Sequence, residues 1–326
     1  MEILVIGLGS MGKRRIRLLK KIRSDLVIIG VDSNSERAEN VKKEYEIEVS
    51  TSLEKALEEY NAEYAVISTS PISHAAIIQK CLESGMHVFT ELNLVNDGYI
   101  QNIKLAEEKK KILFLSSTFL YRDEVKYIIG KMGDYVGRVN YSYHIGQYLP
   151  DWHPWENFKD FFVGKKETNG CREIFAIELP WLIRAFGEIE SVNVLAGNNT
   201  DLNIDYQDNY LVLIKHKTGH KGMMAVDIMS RKAVRNFELF GEQIYITWDG
   251  SPMGLKEYNG ENKEEKTITL YNSVDTLEGY SSFVIENAYE NELRNFFEVV
   301  KGEIQPQYSF SDDLITLEWI DRIEER

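Results

Sequence analysis

Val5-Ile6-Gly7-Leu8-Gly9-Ser10-Met11-Gly12 sets a Gly-x-Gly-x-x-Gly spacing directly behind an apolar run that begins at Ile3. The order is strand, tight glycine turn, helix. Gly7 permits the turn, Gly9 puts no side chain between the backbone and a pyrophosphate, and Gly12 lets the helix sit close to the strand. The start of that helix offers phosphates its free N–H groups and a positive dipole end, through Leu8, Ser10 and Met11 as well as the glycines. On its own the spacing marks only a strand-to-helix turn. A second apolar run, Leu26 to Val31, ends in Asp32. A carboxylate there suits both ribose hydroxyls of NAD and repels the 2′-phosphate of NADP, so NAD is favoured, with Arg37 as the one nearby cation that tempers the choice.

At 326 residues the chain exceeds the size, about 250–300 residues, at which a single core stops growing, so two domains are expected. Formal charge is −14, from 38 basic and 52 acidic side chains, and no long basic tract tracks a nucleic-acid backbone. Cys81 and Cys171 both fall in helical stretches, which suits reduced thiols rather than a disulfide framework, and zinc spacing is absent. The chain enters its first strand at once, without a charged-then-apolar leader. No apolar run approaches the roughly 18 residues of a membrane span. The expectation is a soluble cytoplasmic protein with no metal, membrane or nucleic-acid partner.

Residues 1–120 alternate apolar runs with helical patterns, as βαβ units do, with strands expected at 2–6, 26–32, 47–49, 64–68, 86–90 and 112–116. This predicts a Rossmann-type, doubly wound parallel sheet that binds the dinucleotide at the carboxyl ends of its strands. After Thr118 the texture changes: Val139, Tyr141, Tyr143 and Ile145 alternate with period two. Strand-like runs follow at 191–197, 209–216, 221–229, 234–240, 243–248 and 266–271, and helices at 173–187, 286–301 and 311–325. Residues 121–326 therefore read as an α+β domain, a large and mostly antiparallel sheet with helices on one face, which binds substrate. The open face, expected to carry Tyr141, Tyr143, Tyr210 and Met224, predicts a homo-dimer or homo-tetramer through that sheet.

Four places carry candidate chemistry. The fourth strand ends in Ser68-Thr69-Ser70-Pro71 with His74 beyond it, and the fifth ends in Thr90-Glu91-Leu92-Asn93. Both loops edge the cofactor crevice, so Thr69, Ser70, Pro71, His74 and Glu91 are cofactor candidates; the alternative is that Pro71 and His74 only start a helix and Glu91 is solvated. The loop Asp151-Trp152-His153-Pro154-Trp155-Glu156 sets two indoles beside an imidazole, which suits a sugar or a nicotinamide ring, or else simply anchors the loop. Arg122 and Arg172 offer a phosphate or carboxylate a partner. In the stretch 169–187 Glu178 lies in an otherwise apolar helix, next to a bend expected at Pro180. It is either a general base or acid or the partner of Arg172 or Arg184.

With these residues in view, the chain resembles the Gfo/Idh/MocA family, the glucose–fructose oxidoreductase and inositol dehydrogenase relatives. The resemblance rests on Gly7 to Gly12, Asp32, Ser-Thr-Ser-Pro with His74, the triplet at 91–93, Phe119 to Arg122, and the glycine-led helix at 169–178. It implies a Rossmann domain, an open-faced sheet domain that often mediates oligomers, and NAD(P)-linked oxidation or reduction of sugars or related polyols. The family's Glu-Lys-Pro lysine falls on Leu92 and its proline on Asn93. Its usual Asp and His fall at or beside Ile174 and Ile177, which leaves Glu178 as the nearest carboxylate. The leading expectation is an NAD-dependent oxidoreductase of a sugar or nucleotide sugar with Glu178, His153 and Glu91 as its acid/base set. The alternatives are an enzyme that retains NAD for internal redox, in an elimination or epimerisation, and a catalytically silent NAD-binding sensor.

Overall fold

The structure, a computed structural model, describes residues 1–152, 157–277 and 283–325. It divides into two compact units, Met1–Ser117 with Tyr289–Leu314, and Thr118–Ala288 with Ile315–Arg326. The first alternates strand and helix: β1 (Glu2–Ile6), α1 (Ser10–Ile22), β2 (Val27–Val31), α2 (Ser35–Tyr45), β3 (Glu48–Ser50), α3 (Leu53–Glu59), β4 (Tyr64–Ile67), α4 (His74–Glu83), β5 (His87–Thr90), α5 (Tyr99–Lys109) and β6 (Leu113–Leu115). All six strands run parallel in the order β3-β2-β1-β4-β5-β6. Strands buried on both faces need continuous apolar runs, and Leu4, Val5 and Ala65 to Ile67 are fully sealed from solvent. Strand order reverses between β1 and β4, which opens a crevice at the carboxyl ends of those two strands.

The second unit contains α6 (Asp123–Asp134), β7 (Asn140–Gly146), α7 (Gly170–Phe186), β8 (Ile189–Gly197), β9 (Asn209–His216), β10 (Lys221–Asp227), β11 (Val234–Phe240), β12 (Tyr245–Trp248), β13 (Lys256–Asn259) and β14 (Glu264–Thr267). Its sheet has the order β14-β13-β12-β11-β7-β10-β9-β8. Every neighbouring pair is antiparallel except β7 and β10, whose parallel pairing the long connection through α7, β8 and β9 allows. α7 covers one face: Phe186 stacks on Tyr141 at 4.5 Å, and Trp181 meets Phe237 edge-on at 5.2 Å. Each such ring, fully buried, stabilises the unit by about 1.5–3 kcal/mol.

That packing corrects the expected face of the sheet. Tyr141, Tyr143, Tyr210 and Met224 point under the helix and are at most 3% exposed. The open face carries their sequence neighbours instead, Leu195, Leu211, Leu213 and Met223, each more than half exposed. With a period of two, a one-residue change of phase moves the whole set across the sheet. Other boundaries shift for local reasons. α7 starts at Gly170 rather than 173 because the Asn169 side chain accepts from the Arg172 N–H at 2.8 Å, and the helix runs unbroken through Pro180. β13, Lys-Glu-Tyr-Asn, has no apolar alternation to announce it, and the strand expected at 266–271 lies at Glu264–Thr267.

Two helices close the chain, α8 (Glu286–Val300) and α9 (Phe310–Ile323). Residues 289–314 belong to the first unit. Phe296 stands edge-on to Tyr64, Phe89 and Phe114, with centroids 6.2, 5.7 and 5.6 Å apart. A division at residue 120 leaves this segment out. Helical periodicity shows that α8 has an apolar face but not which core receives it.

Candidate functional site

Backbone geometry makes the crevice at β1. Gly7 has φ +89°, and a Cβ there would stand 2.7 Å from the Ser68 carbonyl oxygen, so the turn presses on the loop after β4 and tolerates only glycine. A Cβ at Gly12 would lie 1.9 Å from the Gly7 carbonyl oxygen, which is how closely α1 sits against the strand. At Gly9 a Cβ would meet nothing within 4 Å. Gly9 is also the N-cap of α1 and no side chain caps the helix, so the dipole end faces open space. At the end of β2, Asp32 takes the Leu8 N–H on Oδ2 and the Asn34 N–H on Oδ1, both at 2.8 Å, while Arg37 Nη1 donates to Oδ2 at 3.2 Å. Leu8 thus serves the turn, its N–H spent on Asp32 and its side chain packed on Gly30.

These residues fit a dinucleotide. The open approach at Gly9, Ser10 and Met11 would hold the pyrophosphate and the Asp32 carboxylate the adenosine ribose, and the bound nicotinamide would serve as hydride carrier.

The loop after β4 is built by its own hydrogen bonds. Pro71 is buried at the head of a single turn, and the Ser73 hydroxyl binds the Ser70 carbonyl oxygen and Thr69 Oγ1. Thr69 is half-buried and Ser70 exposed, so both stay accessible at the crevice side of the sheet. His74 is not accessible. It is 2% exposed, with Nε2 3.0 Å from the Thr69 carbonyl oxygen and Nδ1 2.5 Å from Asn93 Oδ1. Burial holds its imidazole below the usual range, so the ring is neutral. Both ring nitrogens thus face oxygens of the protein's own loops. His74 is therefore a strut for the loop rather than a cofactor ligand.

Glu91 ends β5, with Arg15 Nε 2.6 Å from Oε1 and Arg15 Nη2 3.0 Å from Oε2. Arg15 is fully buried and also binds Glu292 at 2.8 Å, and its guanidinium lies 4.5 Å over the Phe89 ring. Both Glu91 oxygens are held by one bidentate cation, so Glu91 positions the crevice wall and does not act as its base.

In the second unit Glu178 is fully buried and fully used. Tyr143 Oη and Trp181 Nε1 each donate to Oε2 at 2.7 Å, and Arg235 Nη2 and Nε donate to Oε1 at 2.7 and 3.1 Å. Four donors leave no lone pair aimed at a substrate, so the expected general base is instead a buried anchor. Its cation is neither Arg172 nor Arg184. Arg172 pairs with Asp321 and Glu324, and Arg122 with Glu124, the Phe283 and Gly250 carbonyls and the Trp248 ring. Both arginines are at most 3% exposed, so neither is free to meet a substrate anion. Trp152 donates to the Gln147 carbonyl oxygen at 3.0 Å, which fixes its indole near Gly170. His153 and Trp155 lie outside the described residues.

The sequence reading passed over Arg15, Arg235 and Glu173. Glu173 lies in the first turn of α7, one helical turn beyond the Asn169 cap, and its Oε2 is sealed from solvent without a hydrogen-bond partner. Burial pushes its carboxyl up to about 7. Only its place as an acid in a capped first turn signals it, and that place ordinarily means favourable helix-dipole contact.

A family model described as an oxidoreductase family with NAD-binding Rossmann fold, Gfo/Idh/MocA, matches residues 1–117. The matched residues 1–117 thus form an NAD-binding Rossmann fold, and NAD is the cofactor. Solved structures share the fold over the full chain. UDP-N-acetylglucosamine 3-dehydrogenase GnnA from Acidithiobacillus ferrooxidans is 15% identical with a TM-score of 0.77, covering 100% of this chain and 97% of its own. GenD2 from gentamicin A biosynthesis, in complex with NAD, is 17% identical with a TM-score of 0.80, covering 100% and 94%. The WlbA dehydrogenase from Bordetella pertussis, in complex with NADH and UDP-GlcNAcA, is 14% identical with a TM-score of 0.77, covering 99% and 95%. Sequence comparison with curated proteins gives no match. Among the described residues no helix is long and apolar enough to cross a membrane.

Proposed function

We propose that the protein is an NAD-dependent oxidoreductase that interconverts CH–OH and C=O on a sugar carried by a nucleotide. The carrying observation is the crevice at β1 and β4, where the turn leaves Gly9 open and holds a buried Asp32 at the end of β2 by the Leu8 N–H. The substrate class draws on the likeness to GnnA and WlbA, whose names specify UDP-linked sugars. Leu92, which cannot move a proton, and Glu178, whose lone pairs are spent, support a second reading in which the protein is a catalytically silent NAD-binding sensor.

The test is to give purified protein NAD or NADP with a panel of UDP-sugars and follow reduced-nicotinamide absorbance, with extraction of any nucleotide that co-purifies. The expected result is reduction with NAD and not with NADP. Stoichiometric NAD retained through purification, with product but no net absorbance change, would replace net oxidation by internal redox on the retained cofactor. NAD binding without any turnover would favour the second reading and overturn the first.

A further inference from the structure

Arg15, Arg122 and Arg235 each clamp a carboxylate with Nε and Nη2, respectively that of Glu91, Glu124 and Glu178. The remaining nitrogen sets Arg235 apart. Nη1 of Arg15 donates to the Tyr289 carbonyl oxygen at 3.4 Å, and Nη1 of Arg122 to the Phe283 carbonyl oxygen at 2.8 Å. Arg235 Nη1 donates to nothing among the described residues, and it is not sealed from solvent. Its side chain keeps 13% exposure, against 0% for Arg15 and 2% for Arg122.

The free end of Arg235 is held still. Glu178 is fully buried, and its other oxygen takes Tyr143 Oη and Trp181 Nε1, so the carboxylate cannot turn and carry the guanidinium with it. The guanidinium carbon lies 4.5 Å over the Phe119 ring and 5.9 Å from the centre of the Phe283 ring, both rings being half-buried. A guanidinium stacked on a ring is approached along its edge. Glu178 takes Nε–H and one N–H of Nη2, which leaves Nη1 and the other N–H of Nη2 as a fork in one plane. Two parallel N–H groups at that spacing match the two oxygens of a carboxylate. Every residue of this arrangement belongs to the second unit.

We propose that Arg235 is a binding site for a carboxylate carried by the substrate, so that the sugar is an acid, as a uronic acid is, rather than a neutral hexose. Naming that acid as the substrate rests on the sugar-oxidoreductase reading above; the carboxylate site itself does not. One guanidinium of this protein already holds two carboxylates, since Arg15 binds Glu292 at 2.8 Å as well as Glu91. A phosphate fits less well, being tetrahedral and bringing a second negative charge beside Glu178. The chain's formal charge of −14 works against any anion, so a preference for the acid has to be generated locally.

The experiment titrates the NAD-loaded protein by calorimetry with UDP-glucuronate and with UDP-glucose, which differ only in a carboxylate or a hydroxymethyl group on the sugar. Reduced-nicotinamide absorbance is followed in parallel. Wild type should bind the acid about 10–100-fold more tightly, the effect of hydrogen bonds to a charged group. Arg235→Lys keeps a cation against Glu178 and removes the fork, so it should lose that preference and leave UDP-glucose affinity unchanged. The wild-type comparison needs no variant and stands even where R235K does not fold.

A preference for the acid that R235K abolishes supports the site. Equal affinities in wild type overturn it, as does failure to bind either sugar. An equal loss for both sugars in R235K also overturns it, since an arginine that holds the diphosphate or only the fold would weaken both alike. Reduction of NAD by UDP-glucose would in those cases leave the oxidoreductase reading standing. Preference for the acid without reduction of NAD overturns that reading and leaves the carboxylate site in place.

Discussion

Glu178 shows what a residue in a sequence can and cannot disclose. Its position in an apolar helix marks it as buried, but its meaning lies in Arg235, 57 residues away on β11. A buried pair of this kind is costly to break singly, about 3–5 kcal/mol, because the survivor is left charged and unpaired, whereas replacing both members with apolar groups is often close to neutral. The double-mutant cycle Glu178→Met, Arg235→Met, followed by urea unfolding, should show the double variant more stable than either single one. Additive losses would mean the two charges do not depend on each other. At the cofactor end the same limit was milder. Gly7, Gly9, Gly12 and Asp32 act through backbone geometry and local spacing, which a sequence states outright. His74 and Glu91 were placed at the right loops, but their partners Asn93 and Arg15 turn them into supports.

Among the elements, the parallel sheet was legible because its strands other than β3 are mainly apolar and their connections are helices. The second sheet was legible as strands but not as faces. Alternation from Val139 to Ile145 fixes a period without saying which phase meets α7, and the aromatic phase went under the helix because only there do Phe175, Trp181 and Phe186 bury it. One histidine ties these layers together. His216 on β9 is fully buried, with Nε2 3.0 Å from Tyr141 Oη on β7 and Nδ1 2.7 Å from the Gly187 carbonyl oxygen just past α7. Burial pushes its pKa down to about 4 from 6.5. The unfolded chain therefore takes up a proton below pH 6.5 that the folded one refuses. Stability present above pH 6.5 is lost as pH falls towards about 4, up to about 3 kcal/mol. Urea unfolding at pH 7 and pH 4.5 should show a larger acid loss in wild type than in His216→Gln. Equal losses would remove His216 from the account.

For the whole molecule, the open sheet face sets the expectation. Leu195 pairs with Leu211 across β8 and β9, and Leu213 with Met223 across β9 and β10, so four exposed apolar side chains share one surface. A second copy applied through the same face would cover them isologously. Light scattering at micromolar concentration should return a multiple of the 37.7 kDa chain mass, and Leu211→Glu with Met223→Glu should reduce it to one. A wild-type mass of 37.7 kDa would dispose of the expectation.

The late segment that completes the first core has a consequence for synthesis. The Rossmann strands leave the ribosome early, yet Phe296 and Phe297, which cover Tyr64, are made only after residues 118–288. At about 5–20 residues per second the wait is on the order of ten to thirty seconds. During that time Tyr64, Phe89 and Phe114 lack their lid, and the nascent chain offers holdase chaperones an aromatic surface that the finished protein never shows.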